Sequence, residues 1–172
     1  MNTRVLWSLA TLALGLIALA SQPWLALAAQ NPPYEVPAGG KVKKVTLSDA
    51  DWKKKLTAQQ YHVLREKGTE LAFTSDLLHV KGKGVFVCAG CGLELFSTEQ
   101  KFDSGTGWPS FWAPIAKSHV IEIEDHTLGM DRIEVECARC GGHLGHVFDD
   151  GPDPTGLRYC MNGAALQFVP AH

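Results

Sequence analysis

Four cysteines in two C-x-x-C pairs constrain this chain more than any other feature of its sequence. Cys88 and Cys91 form one pair, Cys137 and Cys140 form the other, and a glycine follows each pair. Two intervening residues let both thiolates of a pair reach the same ion while the backbone turns tightly. Two such pairs complete a tetrahedral sulfur site, which suits zinc or, less often, iron. We therefore predict one structural zinc ion in a closed site.

Two other interpretations of these cysteines stay open from the sequence alone. Exported proteins favour disulfides, and two bridges between neighbouring loops would use the same four residues. Each C-x-x-C also matches a redox motif, although a second copy and a fifth, separate cysteine weaken that interpretation.

The segments around the cysteines have the patterning of short β-strands. From Val85 onward, apolar and polar residues alternate with period two, and clusters of Gly, Pro and Asp separate the segments. This pattern predicts a mainly β domain of antiparallel strands, in which each cysteine pair comes directly after a strand. The predicted strands are 85–87, 120–124, 133–136, 144–148, 157–161 and 165–169.

Two short helices are predicted before the strands. Ser48 and Thr57 each open a capping-box pattern, in which a side chain three residues later returns a hydrogen bond to the cap. These patterns predict helices over about 48–55 and 57–67, the second ended by Gly68. The aromatic residues expected to anchor these helices in the core are Trp52 and Tyr61.

The N-terminal region has the parts of a secretory signal peptide. Arg4 precedes an apolar stretch at 5–20, and the small residues at 26–29 match a cleavage site after Ala28. We therefore expect export to the periplasm or secretion. The alternative is an uncleaved membrane anchor at 5–20, although this stretch is shorter than the ~20 residues that a spanning helix requires. The predicted divisions are a signal peptide at 1–28, a flexible linker at 29–47 and a globular domain at 48–170.

The charge balance argues against a nucleic-acid partner. The chain has 16 basic and 18 acidic residues. Removal of residues 1–28 takes away Arg4 and no acidic residue, which leaves 15 basic residues and a formal net charge of −3. Proteins that bind nucleic acids normally present a basic surface.

A fifth cysteine, Cys160, has no cysteine partner nearby in the sequence. A lone cysteine is often a small buried apolar residue. Here Arg158 and Asn162 lie two residues to either side, so all three side chains would project from the same face of a strand. A cation beside a thiol favours the nucleophilic thiolate, and an amide can orient a polar substrate or water. This context favours a catalytic Cys160.

Two histidines and an aromatic loop are the other candidate functional residues. His143 and His146 lie between glycines, and imidazole suits acid–base catalysis near neutral pH. Zinc ligation by these histidines is the alternative. The loop at 102–112 contains Trp108 and other aromatic residues, which either line a pocket for a methyl-bearing group or pack as a lid.

Taken in order, these motifs resemble the B-type methionine sulfoxide reductases, the peptide-methionine (R)-S-oxide reductases. The resemblance covers about residues 45–170. Each motif is only moderately specific by itself, but the motifs in this order are highly specific. The resemblance implies two antiparallel sheets behind a helical segment, and an enzyme that repairs methionine (R)-sulfoxide in oxidised proteins. We expect this enzyme to be a monomer. Besides the cysteine pairs, the matching segments are 68–74, 104–111, 143–152 and 154–162.

The resemblance also implies roles for individual residues. Cys160 matches the family's catalytic cysteine, and Trp108 matches the indole that cradles the substrate's S-methyl group. His143, His146 and Asn162 match polar groups around the sulfoxide oxygen. The remaining matches are Arg158, two residues before the nucleophile, and the structural zinc ligands Cys88, Cys91, Cys137 and Cys140.

One position departs from many relatives. Thr106 stands where they carry a recycling cysteine, and the other four cysteines are assigned to the metal. We therefore predict that a sulfenic acid on Cys160 is reduced by an external thiol, from a thioredoxin-like protein or a small molecule. The competing functions are a zinc-ribbon binding module and a redox-regulated envelope protein, neither of which requires catalytic turnover at Cys160.

Overall fold

A computed structural model describes residues 41–171, and the predicted signal peptide lies outside this range. Of the predicted linker, residues 41–47 are described. There the Val45 N–H donates to the Arg139 carbonyl at 2.8 Å, and Val42 and Val45 pack against the core. Within the described range, no helix has both the length and the apolar character needed to cross a bilayer. Signal-peptide cleavage and export stay predictions.

Two helices precede the strands, as the capping patterns predicted. Helix α1 spans Asp49–Lys55 and helix α2 spans Ala58–Glu66. The Ser48 side chain caps α1 by accepting a backbone N–H from its first turn. Thr57 and Gln60 exchange both hydrogen bonds of a complete capping box at the start of α2. These local interactions fix where each helix begins.

The C-terminal end of α2 differs from the prediction. Lys67, rather than Gly68, adopts the left-handed conformation, with φ of 57°. Gly68 follows this cap, and its N–H donates to the His62 carbonyl at 2.9 Å, as expected at the end of the helix. A side chain at Gly68 would overlap the His62 ring. Of the two predicted anchors, Trp52 is buried, whereas Tyr61 is half-buried and packs against the edge of the core.

Nine strands in the described range form two antiparallel sheets. They are β1 (Gly84–Cys88), β2 (Glu94–Ser97), β3 (Lys101–Phe102), β4 (Ser110–Phe111), β5 (Val120–Asp125), β6 (Arg132–Cys137), β7 (His143–Phe148), β8 (Arg158–Met161) and β9 (Leu166–Pro170). The smaller sheet has the order β2-β1-β9, and the larger has the order β3-β4-β8-β7-β6-β5. The predicted mainly β architecture with two antiparallel sheets is confirmed.

Three strands were not predicted from the sequence. Strands β3 and β4 contain two residues each, and β2 contains four. Two residues are too few for a period of two to appear, and β2 does not alternate, because its two central residues, Leu95 and Phe96, are both buried. Pairing with β8 places β4 inside the larger sheet, so part of the predicted aromatic loop is a strand.

Aromatic side chains fill the space between the two sheets. Phe86 and Phe96 come from the smaller sheet, and Phe111 and Tyr159 come from the larger. The Phe111 ring stacks on Phe96 with centroids 4.4 Å apart and meets Phe86 edge-on at 4.9 Å. Because side chains alternate along a strand, the buried Tyr159 places its neighbour Cys160 on the opposite face of β8.

Candidate active site and metal centre

The four paired cysteines converge on one point where the two sheets meet. Cys88 ends β1 in the smaller sheet, and Cys137 ends β6 in the larger. The Sγ–Sγ distance is 3.7 Å from Cys88 to Cys140 and 3.5 Å from Cys91 to Cys137, and all four sulfurs lie within 4.8 Å of one another. Zinc bound by four thiolates has sulfurs about 3.8 Å apart. The four buried thiols therefore fit one tetrahedral metal ion.

The two turns that present these thiols have matching geometry. Gly92 and Gly141 adopt left-handed φ angles of 75° and 65°. Each donates its N–H at 2.8 Å to the carbonyl of the first cysteine in its pair, Cys88 or Cys137. The predicted need for a glycine after each pair is confirmed, because residues with side chains rarely adopt this conformation.

The crowding of the thiols opposes ionisation unless a cation is present. A hydrogen bond with Cys137, together with burial, raises the pKa of Cys88 well above its ordinary range. A hydrogen bond with Cys140 does the same to the pKa of Cys137. The pKa of Cys140 is lowered instead, because the other S–H groups donate to its thiolate. Several thiolates in this cluster require the positive charge of a bound metal.

A second site lies on the opposite face of β8, around Cys160. In the antiparallel pairing, Cys160 lies opposite Ser110 of β4 on one side and His146 of β7 on the other. Glu134 of β6 lies opposite His146 and continues the row. Residues directly opposite each other on paired strands project to the same side of the sheet. The topology thus brings the predicted nucleophile and a predicted acid–base residue together.

A β-bulge explains how the two histidines share this face. Residues three positions apart would project to opposite faces of a regular strand. Here Val135 and Glu136 of β6 lie opposite Gly145 and His143, so β7 contains one extra residue between the paired positions. The bulge returns His143 to the face of His146, and their ring centroids are 5.4 Å apart.

His143 is buried and linked to a carboxylate. Its Nδ1 lies 2.7 Å from Glu134 Oε1, and Lys67 Nζ donates to Glu134 Oε2 at 2.8 Å. Burial lowers the pKa of His143 even though Glu134 opposes the shift. Burial also disfavours the Glu134 carboxylate, but hydrogen bonds from Lys67 and His143 hold its pKa below the ordinary value. A neutral His143 that donates its Nδ1–H to Glu134 satisfies both conditions.

His146 contacts a second carboxylate at the end of β5. Its Nε2 lies 2.9 Å from Asp125 Oδ2, and Arg132 Nη2 donates to the same oxygen at 2.7 Å. The hydroxyl and backbone N–H of Thr127, followed by His146, hold the pKa of Asp125 well below its ordinary range. Because Asp125 stays ionised and bonds to Nε2, it fixes the orientation of the His146 ring and leaves Nδ1 available for other partners.

The larger sheet has a pocket of about 120 Å³ beside Cys160. Four of the six predicted site residues outside the metal cluster line it, whereas His143 and Arg158 do not. A larger depression of about 510 Å³ shares Arg132 and Phe148 with this pocket, and no cysteine lines it. The lining residues of the smaller pocket are Thr69, Trp108, Arg132, Gly145, His146, Phe148, Cys160 and Asn162.

Glu70 fixes one wall of this pocket and was not identified from the sequence. Its backbone N–H donates to Asn162 Oδ1 at 2.9 Å, and its carbonyl accepts from Trp108 Nε1 at 3.2 Å. Its carboxylate accepts the backbone N–H groups of Gly163 and Ala164. The Asn162 amide is therefore held in place while it lines the pocket. A carboxylate that caps a turn is not apparent from sequence spacing.

Arg158 lies on the same side of β8 as Cys160 but is paired with an acidic residue. Its Nε and Nη2 both donate to the Asp150 carboxylate at 2.8 Å, and its guanidinium covers the Phe148 ring at 4.3 Å. The hydrogen bond with Asp150 is the main reason that the pKa of Arg158 is raised, and the nearby Cys160 also contributes. Its predicted substrate role stays a prediction.

Thr106 reaches the sulfur of Cys160. The distance from Thr106 Oγ1 to Cys160 Sγ is 3.7 Å. The described range contains four other cysteines, and all of them belong to the four-cysteine cluster. The structure therefore places a hydroxyl group beside the candidate nucleophile, at the position where many relatives were expected to have a recycling cysteine.

Comparison with known proteins assigns the fold and site to a family. The pattern of a family described as the SelR domain matches residues 56–170, which is most of the chain. The chain belongs to the SelR family. A SelR relative from Leptospira interrogans, named peptide methionine sulfoxide reductase MsrB, is 56% identical over 125 residues, which cover 73% of this chain and 95% of the relative. The predicted membership of the B-type methionine sulfoxide reductases is confirmed.

Other SelR relatives span distant organisms. A Methanosarcina barkeri protein with the same MsrB name is 58% identical over 126 residues, which cover 73% of this chain and 89% of the relative. A Mus musculus protein, named methionine-R-sulfoxide reductase B3, mitochondrial, is 51% identical over 128 residues. That match covers 74% of this chain and 51% of the mouse protein.

Proposed function

We propose that this protein reduces methionine (R)-sulfoxide in oxidised proteins to methionine, with Cys160 as the nucleophile. The observation that carries the proposal is the direct pairing of Cys160 with His146 at the wall of a pocket that also includes Trp108. The names of the SelR relatives support the reaction, and the name of the mouse relative supports the R stereochemistry.

In the proposed first step, the Cys160 thiolate attacks the sulfoxide sulfur. His146 acts as the general acid in this step and donates a proton from Nδ1 to the sulfoxide oxygen, while its Nε2 stays bonded to Asp125. The oxygen passes to the cysteine sulfur, which loses two electrons, and the substrate sulfur gains them and leaves as the thioether. Cys160 becomes a sulfenic acid. We assign the donor role to His146 because it lines the pocket with Cys160, whereas His143 is buried behind it.

The walls of the pocket support the proposed choice of one sulfur epimer. The Trp108 indole offers an apolar surface for the S-methyl group, and its Nε1 is occupied by the Glu70 carbonyl. His146 and Asn162 offer polar groups for the oxygen. An epimer with the methyl group and the oxygen exchanged would place the oxygen against the indole, where it would find no hydrogen-bond donor.

The proposed recycling uses thiols from outside the chain. A first thiol attacks the sulfenic acid, releases water and forms a mixed disulfide with Cys160. A second thiol breaks this bond, which restores Cys160 and releases the oxidised reductant as a disulfide. Thr106 beside the sulfur supports this route, because a hydroxyl group cannot form a disulfide. A thioredoxin-like protein or a small-thiol reductant would supply both electrons.

We also propose that the four-cysteine cluster holds one zinc ion with a structural role. A bound zinc ion would link the two sheets and neutralise the thiolates. The buried sulfurs leave no coordination position for a substrate.

For the N-terminal region, we propose that residues 1–28 direct export and are then removed. The N-terminal sequence of the protein isolated from its native compartment tests this cleavage directly.

The central test is sulfoxide reduction with dithiothreitol as reductant. We expect wild-type protein to reduce the R epimer and not the S epimer of a peptide methionine sulfoxide. The Cys160→Ser variant should lose at least about a thousandfold in kcat/KM, because the nucleophile is removed. Equal activity in the two proteins would rule out Cys160 as the nucleophile. An intramolecular disulfide containing Cys160 after a single turnover, with the metal still bound, would contradict the external-thiol route.

A further inference from the structure

Three hydroxyl groups form a continuous chain that leads from Cys160 into the protein. Thr106 Oγ1 lies 3.7 Å from Cys160 Sγ and 2.8 Å from Ser104 Oγ. Ser104 Oγ lies 2.7 Å from Ser110 Oγ, which in turn donates to the Trp108 carbonyl at 3.1 Å. Ser110 is fully buried, so bulk water does not compete at the inner end. We call Thr106, Ser104 and Ser110 the hydroxyl chain.

When Cys160 is a thiol, the bond from Ser110 to the Trp108 carbonyl sets the direction of the other hydrogen bonds in the chain. Each hydroxyl group has one hydrogen, and one hydrogen must lie between each closely spaced pair of oxygens. Because Ser110 donates to the Trp108 carbonyl, Ser104 donates to Ser110, and Thr106 donates to Ser104. The Thr106 oxygen is then left to accept the S–H of Cys160. In this state, all the hydrogens point away from the sulfur.

When the Cys160 thiol loses its proton to water in the pocket, the hydrogen bonds along the chain must point in the opposite direction. A thiolate accepts hydrogen bonds and donates none. If Thr106 donates to the thiolate, then Ser104 donates to Thr106 and Ser110 donates to Ser104, with no oxygen moving. The chain loses two neutral bonds, the weak one from the Cys160 S–H to Thr106 and the one from Ser110 to the Trp108 carbonyl. It gains one charge-assisted bond to the sulfur, which is stronger than either of them.

We propose that the hydroxyl chain stabilises the Cys160 thiolate by reversing its hydrogen bonds when the thiol loses its proton. Thr106 touches the reacting sulfur and acts directly, whereas Ser104 and Ser110 are positioning residues. The proposal rests on Cys160 being the nucleophile. It adds that the threonine in the recycling position supports the reaction, besides being unable to form a disulfide.

Charged and titratable groups also face the pocket around the sulfur, and they set the background for this effect. His146 approaches from β7, Arg132 of β6 lines the same pocket, and Arg158 lies on the same side of β8. Arg132 is paired with Asp125. Strand β4 contributes Ser110, which is uncharged. Arg158 shares its charge with Asp150. Because the hydroxyl chain is uncharged, its stabilisation of the Cys160 thiolate should persist at high salt. The stabilisation of the thiolate by Arg158 should weaken at high salt, since dissolved ions screen the charge.

The direct test measures alkylation of Cys160 by iodoacetamide, followed on the Cys160 peptide by mass spectrometry in the metal-loaded protein. Thr106→Val keeps the side-chain shape and removes the hydroxyl group. We expect the alkylation rate at neutral pH to fall about tenfold and its pH profile to move to higher pH, because the thiolate loses a charge-assisted bond. Thr106→Ser should restore the rate to within about twofold of wild type, since the hydroxyl group returns.

A matched control tests whether removal of a threonine hydroxyl group elsewhere in the protein also slows the alkylation of Cys160. Thr98 is half-buried like Thr106, and its hydroxyl group bonds to the backbone of Gly84. Thr98→Val should alkylate at the wild-type rate. If Thr106→Val also alkylates at the wild-type rate, or if Thr106→Ser fails to restore it, the proposal is wrong.

The serine variants distinguish stabilisation of the thiolate through the hydroxyl chain from a merely structural role of these side chains. We expect the alkylation rate to fall most in Thr106→Val, less in Ser104→Ala and least in Ser110→Ala, following distance from the sulfur. A structural role predicts the largest effect at Ser110, because that side chain is the most buried of the three. That reversed order would overturn the proposal. The alkylation rate does not depend on turnover, so this result is independent of the activity test on Cys160→Ser.

Discussion

The four-cysteine cluster and the pocket around Cys160 use the same side chain for different purposes. In the cluster, each buried thiol has other thiols within 4.8 Å, and their distances match the ligands of one ion. Cys160 is half-buried and is surrounded by an imidazole, a hydroxyl group and an indole. Several sulfurs around one point suit a metal ion, whereas a single sulfur beside a pocket suits attack on a substrate.

The two regions also differ in how the chain builds them. Each half of the cluster is a local turn, fixed by four consecutive residues and a left-handed glycine. The Cys160 pocket combines side chains from β7 and β8 with Trp108 and Thr69, which are distant in sequence. Changes in the cluster should therefore affect stability first, and changes in the pocket should affect catalysis first.

The largest expected effect is on stability and comes from the cluster. Cys137→Ser removes one ligand of the proposed metal ion, and we expect the free energy of unfolding to fall by roughly 5 kcal/mol. For a domain of this size, the midpoint of thermal unfolding would fall by about 10–20 °C. Cys160→Ser is the matched control and should leave the midpoint within about 2 °C of wild type. Equal losses of stability in the two variants would remove the distinction between the regions.

The next effect is on catalysis and comes from the pocket. His146→Gln should lower kcat/KM for the peptide sulfoxide about a hundredfold, because glutamine cannot donate a proton as imidazolium does. His143→Gln should cost more in thermal stability and less in activity, since His143 is buried against Glu134. Steady-state kinetics and thermal unfolding of both variants check this pair. A greater loss of activity in His143→Gln would transfer the donor role to His143.

A smaller effect, on both stability and substrate binding, is expected from substitution of Glu70. Glu70→Gln replaces one of the two carboxylate oxygens that accept Gly163 and Ala164 with an NH₂ group. We expect a loss of about 1–2 kcal/mol in unfolding free energy and a rise in KM that exceeds the fall in kcat, because Trp108 and Asn162 are held by the Glu70 backbone. Glu99→Gln, on an exposed turn, should change neither quantity. An unchanged KM in Glu70→Gln would show that the pocket wall does not depend on this carboxylate.

The smallest effect is a pH dependence of stability from His143. Its pKa lies below the ordinary value of 6.5, so just below that pH the unfolded chain binds a proton that the folded chain does not. Unfolding free energy should therefore fall as the pH falls from 6.5 through the lowered pKa. His143→Gln should flatten this part of the profile of thermal midpoint against pH.

His126 provides a control of opposite sign. A hydrogen bond from its exposed ring to Asp131 raises the pKa of His126. Its contribution is complete below 6.5 and is lost as the pH rises through the raised pKa. His126→Gln should therefore reduce stability slightly at low pH, in a salt-sensitive way. A steeper loss at low pH in His143→Gln than in wild type would contradict the sign assigned to His143.

Particular residues show how far sequence reasoning reached. Period-two alternation and capping boxes predicted both helices and six strands, because these signals lie within a few consecutive residues. The pair spacing predicted the convergence of the four cysteines for the same reason. The carboxylates of Glu134, Asp125 and Glu70 were missed, because they act on residues that only strand pairing and loop packing bring near. The two-residue strand β4 was missed because its pairing partner, rather than its own pattern, makes it a strand.

The sequence by itself determined the family, the four cysteines that form the cluster and the identity of Cys160 as the exceptional cysteine. These conclusions depend on residue type and local spacing, which folding does not alter. Only the tertiary structure decided that His143 and His146 share one face, since a single extra residue in β7 reverses the alternation of side chains. Tertiary packing also placed Thr106 and its chain of hydroxyl groups against the sulfur of Cys160, because the loop after β3 folds back over β8.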